Sequence, residues 1–211
     1  MAEKKFKTEQ EVFWAGDFGN EYISRNTPEK LLATNIGFFS EILRRTNDVS
    51  SIMELGANIG LNLEALKVLL PEAKLSAVEI NETACSQLSA RIPDVKVTQS
   101  SILEMDTGGK SDLVLIKGVL IHIDPDQLKT VYDKLAEVSK RYVVIAEYYN
   151  PSPVSISYRG HENRLFKRNF AGEFMDRHTD FHIIDYGFVW HRDPNFPQDD
   201  ITWFLMAKKE N

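Results

Sequence analysis

Apolar positions along the chain follow two alternating periods. Ile52, Met53 and Leu55 form a short run bounded by turn formers, the mark of a buried strand. Leu61, Leu63, Leu66, Leu69 and Leu70 follow at near-helical spacing, and Pro71 closes that helix. Lys74 to Ile80 reads as a second strand, Asn81 caps a helix reaching to about Arg91, and Val95 to Gln99 is a third strand. Asp112 to Lys117, DLVLIK, is almost continuously apolar, as a strand at the centre of a parallel sheet must be. A helix opening at Asp124-Pro125 carries Leu128, Val131, Leu135 and Val138 on one face, and a fifth strand spans Arg141 to Glu147. This alternation predicts one α/β domain: a doubly wound, mostly parallel sheet with helices on both faces.

The flanks read differently. Phe13, Trp14, Phe18 and Tyr22 are aromatics at helix-like spacing, interrupted by Gly16 and Gly19. They predict one or two short helices packed on the body, or a lid over a ligand with Arg25 available to a carboxylate. Thr27-Pro28-Glu29 signals the start of a helix that runs to about Arg45. After the fifth strand, residues 148–168 read as a long, aromatic, basic loop containing Arg159, His161, Arg164, Lys167 and Arg168. A helix over Asn169 to His178 and strands over Phe181 to Trp190 and Ile201 to Ala207 complete the pattern.

Composition narrows the classes. The chain has 211 residues, 43% hydrophobic and 27% charged, enough for one domain with a substantial core. Lys plus Arg is 25 and Asp plus Glu is 31, a net charge of −6, which disfavours a nucleic-acid partner. In an acidic chain, positive charge gathered in one loop points to an anionic ligand there. The single cysteine, Cys85, fits a reducing compartment, and MAEKKFKTEQEVF carries no long apolar run. A cytoplasmic protein with neither signal peptide nor membrane span is expected. His191, Asp193, Asp199 and Asp200 lie close in sequence but read as loop polarity, so no metal is expected.

The chemistry is concentrated between the first strand and the helix after it. Glu54 precedes Gly56-Ala57-Asn58-Ile59-Gly60, and the N–H groups of the helix that follows are free for a ligand. A dinucleotide fingerprint would place another glycine near Asn58, so a pyrophosphate fits poorly. Glu79, about twenty residues on and at a strand end, suits the ribose hydroxyls of an adenosine. E-x-G-x-x-x-G resembles the first motif of class I S-adenosylmethionine (SAM) methyltransferases. That resemblance implies a seven-stranded Rossmann-like sheet whose last two strands form a closing antiparallel pair. It implies that Gly56, Asn58 and Gly60 hold the amino-acid end of SAM, with Glu54 positioning it. Ile80 and Lys117, at strand ends, join the cofactor set, and Trp14, Tyr22 and Arg25 supply its lid. Ser101 stands where that family often has an acid for the adenine amino group, and Ile102 would pack on the ring.

A narrower resemblance spans nearly the whole chain. TEQEVFWAGDFGNEYISRN, GVLIHI, RYVVIAEYYNPSPV, YRGHENRLFKRNFAGEF and DYGFVWHRDPNFPQDDITWFL are similar to the pseudaminic acid biosynthesis-associated methylases. This implies a small anionic acceptor, a nucleotide-linked or acidic nine-carbon sugar. His122 is then the first candidate base and His161 the second. Glu147, Tyr148 and Tyr149 would orient the acceptor, and Arg159, Lys167 and Arg168 would hold its carboxylate or phosphate. The implied division is residues 1–47 as lid, 48–147 as SAM-binding core and 148–211 as acceptor loop and closing strands. Oxygen and nitrogen both stay open as the methylated atom. Rival readings are a nucleic-acid methyltransferase, a non-catalytic SAM-binding module and a Rossmann oxidoreductase. The first lacks the D/N-P-P-Y/F/W signature, since Lys117-Gly118-Val119-Leu120 occupies its place.

Overall fold

The structure is a computed structural model describing residues 6–23 and 28–209, with side-chain surroundings described from residue 31 in the second stretch. Two short helices lead, α1 (Glu9–Ala15) and α2 (Asp17–Ile23), then a longer one, α3 (Pro28–Leu43). The alternating body is β1 (Ser51–Leu55), α4 (Leu61–Leu69), β2 (Lys74–Glu79), α5 (Glu82–Arg91), β3 (Lys96–Gln99), β4 (Ser111–Lys117), α6 (Leu128–Val138) and β5 (Ser139–Glu147). A hairpin of β6 (Val154–Tyr158) and β7 (His161–Lys167) follows, then α7 (Phe170–Arg177), β8 (Phe181–Val189) and β9 (Ile201–Lys208).

Seven strands form one sheet in the order β3-β2-β1-β4-β5-β9-β8. Neighbours from β3 to β5 are parallel, and β9 runs antiparallel to both β5 and β8. The mostly parallel sheet expected from the alternation is therefore present, with the seven strands that the resemblance implies. Its centre is buried on both sides. Val114 and Ile116 of β4 enter the core shared with α6 and α7, while Leu113 and Leu115 enter the core shared with α3 and α4. That two-sided burial explains the unbroken apolar run of DLVLIK.

Residues 148–168 depart from the sequence reading. They fold largely into the β6–β7 hairpin rather than a loop. Arg159 and Gly160 form its two-residue turn with φ of 51° and 82°. Two positive angles match the right-handed strand twist, as type I′ turns do. The N-cap reading of Thr27 lies outside the described residues. Among those described, no helix is long and apolar enough to cross a membrane, and no group of three or more His, Cys, Asp or Glu side chains converges as a metal site would require.

Candidate functional site

The crevice forms at the carboxyl ends of β1, β2 and β4, beside the point where strand order reverses. β1 ends at Leu55, and the next five residues visit the left-handed region three times: Gly56 at φ 77°, Asn58 at 49° and Gly60 at 84°. Asparagine tolerates this conformation, which is why the turn closes without a glycine at 58. A Cβ on Gly56 would lie 2.5 Å from Val119 Cγ2, so the absence of a side chain lets the loop after β4 close over the turn. A Cβ on Gly60 would lie 2.8 Å from Leu88 Cγ. The close approach there is to α5.

Glu79 joins this turn to the end of β2. One carboxylate oxygen accepts the Asn58 N–H at 2.7 Å and the other accepts the Asn81 N–H at 2.8 Å. Burial pushes its pKa up, and those backbone donors oppose the shift. The carboxylate is 8% exposed and lines a cavity of about 280 Å³. Asn58, Gly56, Ile80, Ser101, Ile102, Lys117 and His122 line the same cavity, with Trp14 and Tyr22 closing it from α1 and α2. Ser101 Oγ accepts the Leu103 N–H at 3.1 Å, which holds Ile102 against the opening. Arg25 lies outside the described residues.

Two acids sit behind the cavity wall rather than on it. Glu54 is fully buried and accepts from Asn62 Nδ2 at 2.7 Å, so Asn62 is the side chain that meets the opening. Burial pushes the Glu54 carboxyl up to about 8, with Asn62 and the Lys117 ammonium opposing. Glu147 accepts the N–H groups of Val119 at 2.9 Å and Leu120 at 2.8 Å. Burial pushes it up to about 7, against those donors. Glu147 thus anchors the loop after β4 and is not among the residues that line the cavity. Lys117 is lowered by burial, with Glu54, Asp199 and Glu147 opposing.

The loop that Glu147 anchors ends in a short helical turn, Leu120–His122. His122 Nδ1 lies 2.5 Å from the Arg164 carbonyl of β7. A carbonyl only accepts, so Nδ1 carries the proton and Nε2 of the neutral ring has a free lone pair. Burial pushes the imidazole down to about 4, and the carbonyl opposes that shift. Its ring is 4.6 Å from Trp14 and 5.0 Å from Tyr158. His161 is exposed on β7, 5.0 Å from Phe13 and 5.9 Å from Phe18, outside the cavity lining.

The remaining acceptor-side residues are scattered. Tyr148 hydrogen-bonds Asp199, and burial followed by that carboxylate raises its pKa. The Lys167 ammonium lies 5.1 Å from the Tyr148 ring centre. Arg159 is exposed at the hairpin turn, 5.6 Å from the Tyr158 ring. Tyr149 faces outward, 6.2 Å from Phe204. Arg168 pairs with Glu173 at 2.8 Å and Arg164 with Glu9 at 3.1 Å, so both guanidinium groups brace the structure.

The structure adds residues that the pattern did not reveal. Gln10, Glu11, Asn62 and Asp199 all line the cavity. Thr8 and Glu11 form a capping box, a spacing visible in the sequence, but its acid, Glu11, also lines the cavity. Gln10 Oε1, Glu11 Oε1, Trp14 Nε1 and Asn58 Oδ1 are buried with no partner among the described residues. A cavity lined by four residues that carry such atoms suits a polar ligand that completes their hydrogen bonds.

No protein-family profile matches the chain. No curated protein matches it in sequence. Solved structures do match in fold. The 1,6-didemethyltoxoflavin-N1-methyltransferase of Burkholderia thailandensis aligns with a TM-score of 0.70 at 15% identity, over 100% of this chain and 93% of that one. The plantazolicin methyltransferase BpumL gives 0.66 at 15%, over 95% and 94%. The magnesium protoporphyrin IX methyltransferase ChlM of Synechocystis PCC 6803 gives 0.65 at 10%, over 98% and 100%. The architecture is the Rossmann-like fold of class I SAM-dependent methyltransferases.

Proposed function

We propose that the chain transfers a methyl group from SAM to a small-molecule acceptor. The observation that carries this reading is the Glu79 carboxylate, buried, facing the cavity and tied to the glycine turn through Asn58. A carboxylate at that strand end can accept from both ribose hydroxyls of an adenosine. The unpaired atoms around it fit a ligand rich in polar groups. The matching toxoflavin and protoporphyrin enzymes are named for small-molecule methyl transfer, and their structures hold S-adenosylhomocysteine (SAH) or SAM.

Bound SAM supplies an activated methyl group on a sulfonium, open to in-line displacement. The chain's own task is to align the acceptor and exclude water. In this reading the Gly56–Gly60 turn and Asn62 take the amino-acid end, with Glu54 holding Asn62. Glu79 and Ile80 take the ribose, Ser101 and Ile102 flank the purine, and Lys117 lies toward the methionine side. Trp14 and Tyr22 cover the site, and Arg25 belongs to the same lid. Residues 1–47 act as that lid, 48–147 as the cofactor core and 148–211 as the acceptor side. His122 takes the acceptor's proton at Nε2, and its low pKa keeps the ring neutral through the physiological range. Glu147 positions the His122 loop. Tyr148 with Asp199 meets the acceptor.

The resemblance to the pseudaminic acid-associated methylases supports a sugar acceptor, nucleotide-linked or a nonulosonic acid. Arg159 and Lys167 are the cations left for its anionic group, since Arg168 is engaged by Glu173. Calorimetry with SAH tests the cofactor site. Wild type should bind, and Glu79→Ala should weaken binding tenfold or more; absence of binding to wild type rejects the reading. Methyl-transfer assays against nucleotide sugars and nonulosonic acids then test the acceptor. His122→Ala should retain SAH affinity and lose turnover, and full turnover would remove His122 as the base.

A further inference from the structure

The purine end of the cavity poses a question of recognition. Ser101 occupies the position after β3, and its hydroxyl is engaged by the Leu103 N–H. No acid stands there to accept from an adenine amino group. Helix α1 brings one, Glu11, to the same cavity. The Lys7–Glu104 ion pair, just past Ile102 and Leu103, ties the residues leading into α1 to this corner, while Gln10 Nε2 donates to the Asn163 carbonyl of β7 at 3.2 Å. Gln10 is 8% exposed and Glu11 6%, and both line the cavity.

Their bonding leaves two acceptors over. Glu11 Oε2 accepts the backbone N–H groups of Lys7 and Thr8, each at 2.8 Å, as part of the capping box. Glu11 Oε1 is buried with no partner among the described residues, and so is Gln10 Oε1. Burying a carboxylate oxygen unpaired is costly, and a ligand donor would relieve that cost. An exocyclic amino group carries two hydrogens, one for each oxygen.

We infer that Gln10 and Glu11 of the lid read the 6-amino group of the purine, in place of an acid after β3. The inference rests on the SAM reading above. It makes closure of the lid conditional on an adenine rather than on any purine. A 6-oxopurine presents an oxygen to the same two oxygens, so the pair discriminates by repulsion as well as by lost bonds.

The test is calorimetry with SAH and with S-inosylhomocysteine, its 6-oxo analogue. Wild type should prefer the adenosyl compound by tenfold or more. In Glu11→Gln the amide oxygen stays with the Lys7 and Thr8 N–H groups, which turns the NH₂ toward the cavity. That variant should weaken SAH and tighten S-inosylhomocysteine, so the preference falls at least tenfold. Gln10→Ala leaves the capping box intact and should lower the preference about fivefold. A purely structural role for either residue would weaken both ligands by the same factor, and that result overturns the inference. Wild-type binding of both compounds alike overturns it too, while leaving the SAM reading standing. Wild-type binding of neither rejects the SAM reading and this inference with it.

Discussion

Gly56 on the crevice floor and Gly160 at the hairpin turn have nearly the same backbone angle, φ 77° and 82°. Their surroundings differ completely. A Cβ at 56 would meet Val119 at 2.5 Å, whereas a Cβ at 160 would meet nothing within 4 Å. The floor is specified twice, by the turn and by what packs over it. The hairpin turn is specified once, by the twist of its own strands. A substitution at the floor therefore disturbs packing and chemistry together, while one at the hairpin tip strains a single residue.

The largest expected effect tests that contrast directly. Gly56→Ala combines a left-handed alanine with an overpacked contact, and should lose about 4 kcal/mol in urea unfolding at an unchanged m-value. A loss as small as that at the hairpin tip would end the distinction. Next comes Glu147, which holds the floor's second loop. Its carboxyl titrates at about 7 in the folded chain against 4.5 ordinarily. The folded state holds that proton more tightly, so this contribution to stability is complete below pH 4.5 and is lost as pH rises through 7. Glu147→Gln keeps an acceptor for Val119 and Leu120 and has no proton to lose. It should gain on wild type by about 2–3 kcal/mol between pH 5 and pH 9, measured as paired unfolding curves. Parallel curves would mean that the carboxyl is ionised throughout.

On the hairpin side the effects shrink. Gly160→Ala should cost about 1 kcal/mol from backbone strain alone, with SAH affinity unchanged. Glu9→Ala removes the carboxylate facing Arg164, but Glu9 is 84% exposed in that pair. Its stability change should stay under about 0.5 kcal/mol. A large loss there would show that the pair, rather than the buried Gln10 and Glu11, seats α1.

The same contrast explains what could be read from the chain alone. Glu79 was legible because a strand end beside a glycine turn fixes where its carboxylate goes. The order of strands and the apolar centre of β4 followed from local periodicity. Depth was not legible. Glu54 and Glu147 sit near strand ends as anticipated, yet lie behind Asn62 and Val119, because facing depends on register with neighbouring strands. The hairpin was hidden by its Arg-Gly turn, which lacks the usual asparagine or aspartate, although Val154, Ile156 and Tyr158 alternate as a strand requires. With the hairpin unread, His161 stayed a second candidate behind His122. The pairing of β6 with β7 puts His161 outside, and the Arg164 carbonyl makes His122 the histidine with a fixed tautomer.

Adjacent carbonyls on β7 serve different masters: Asn163 holds Gln10 of α1, and Arg164 holds His122. Under the proposed methyl transfer, any movement of α1 that opens the cavity would first part Gln10 from Asn163, and so loosen the strand that holds the His122 ring. In that reading, exit of product and resetting of the proton acceptor would be one kinetic event. In such a molecule the turnover number would follow solvent viscosity, with the hairpin acting as an escapement that admits one reaction per opening.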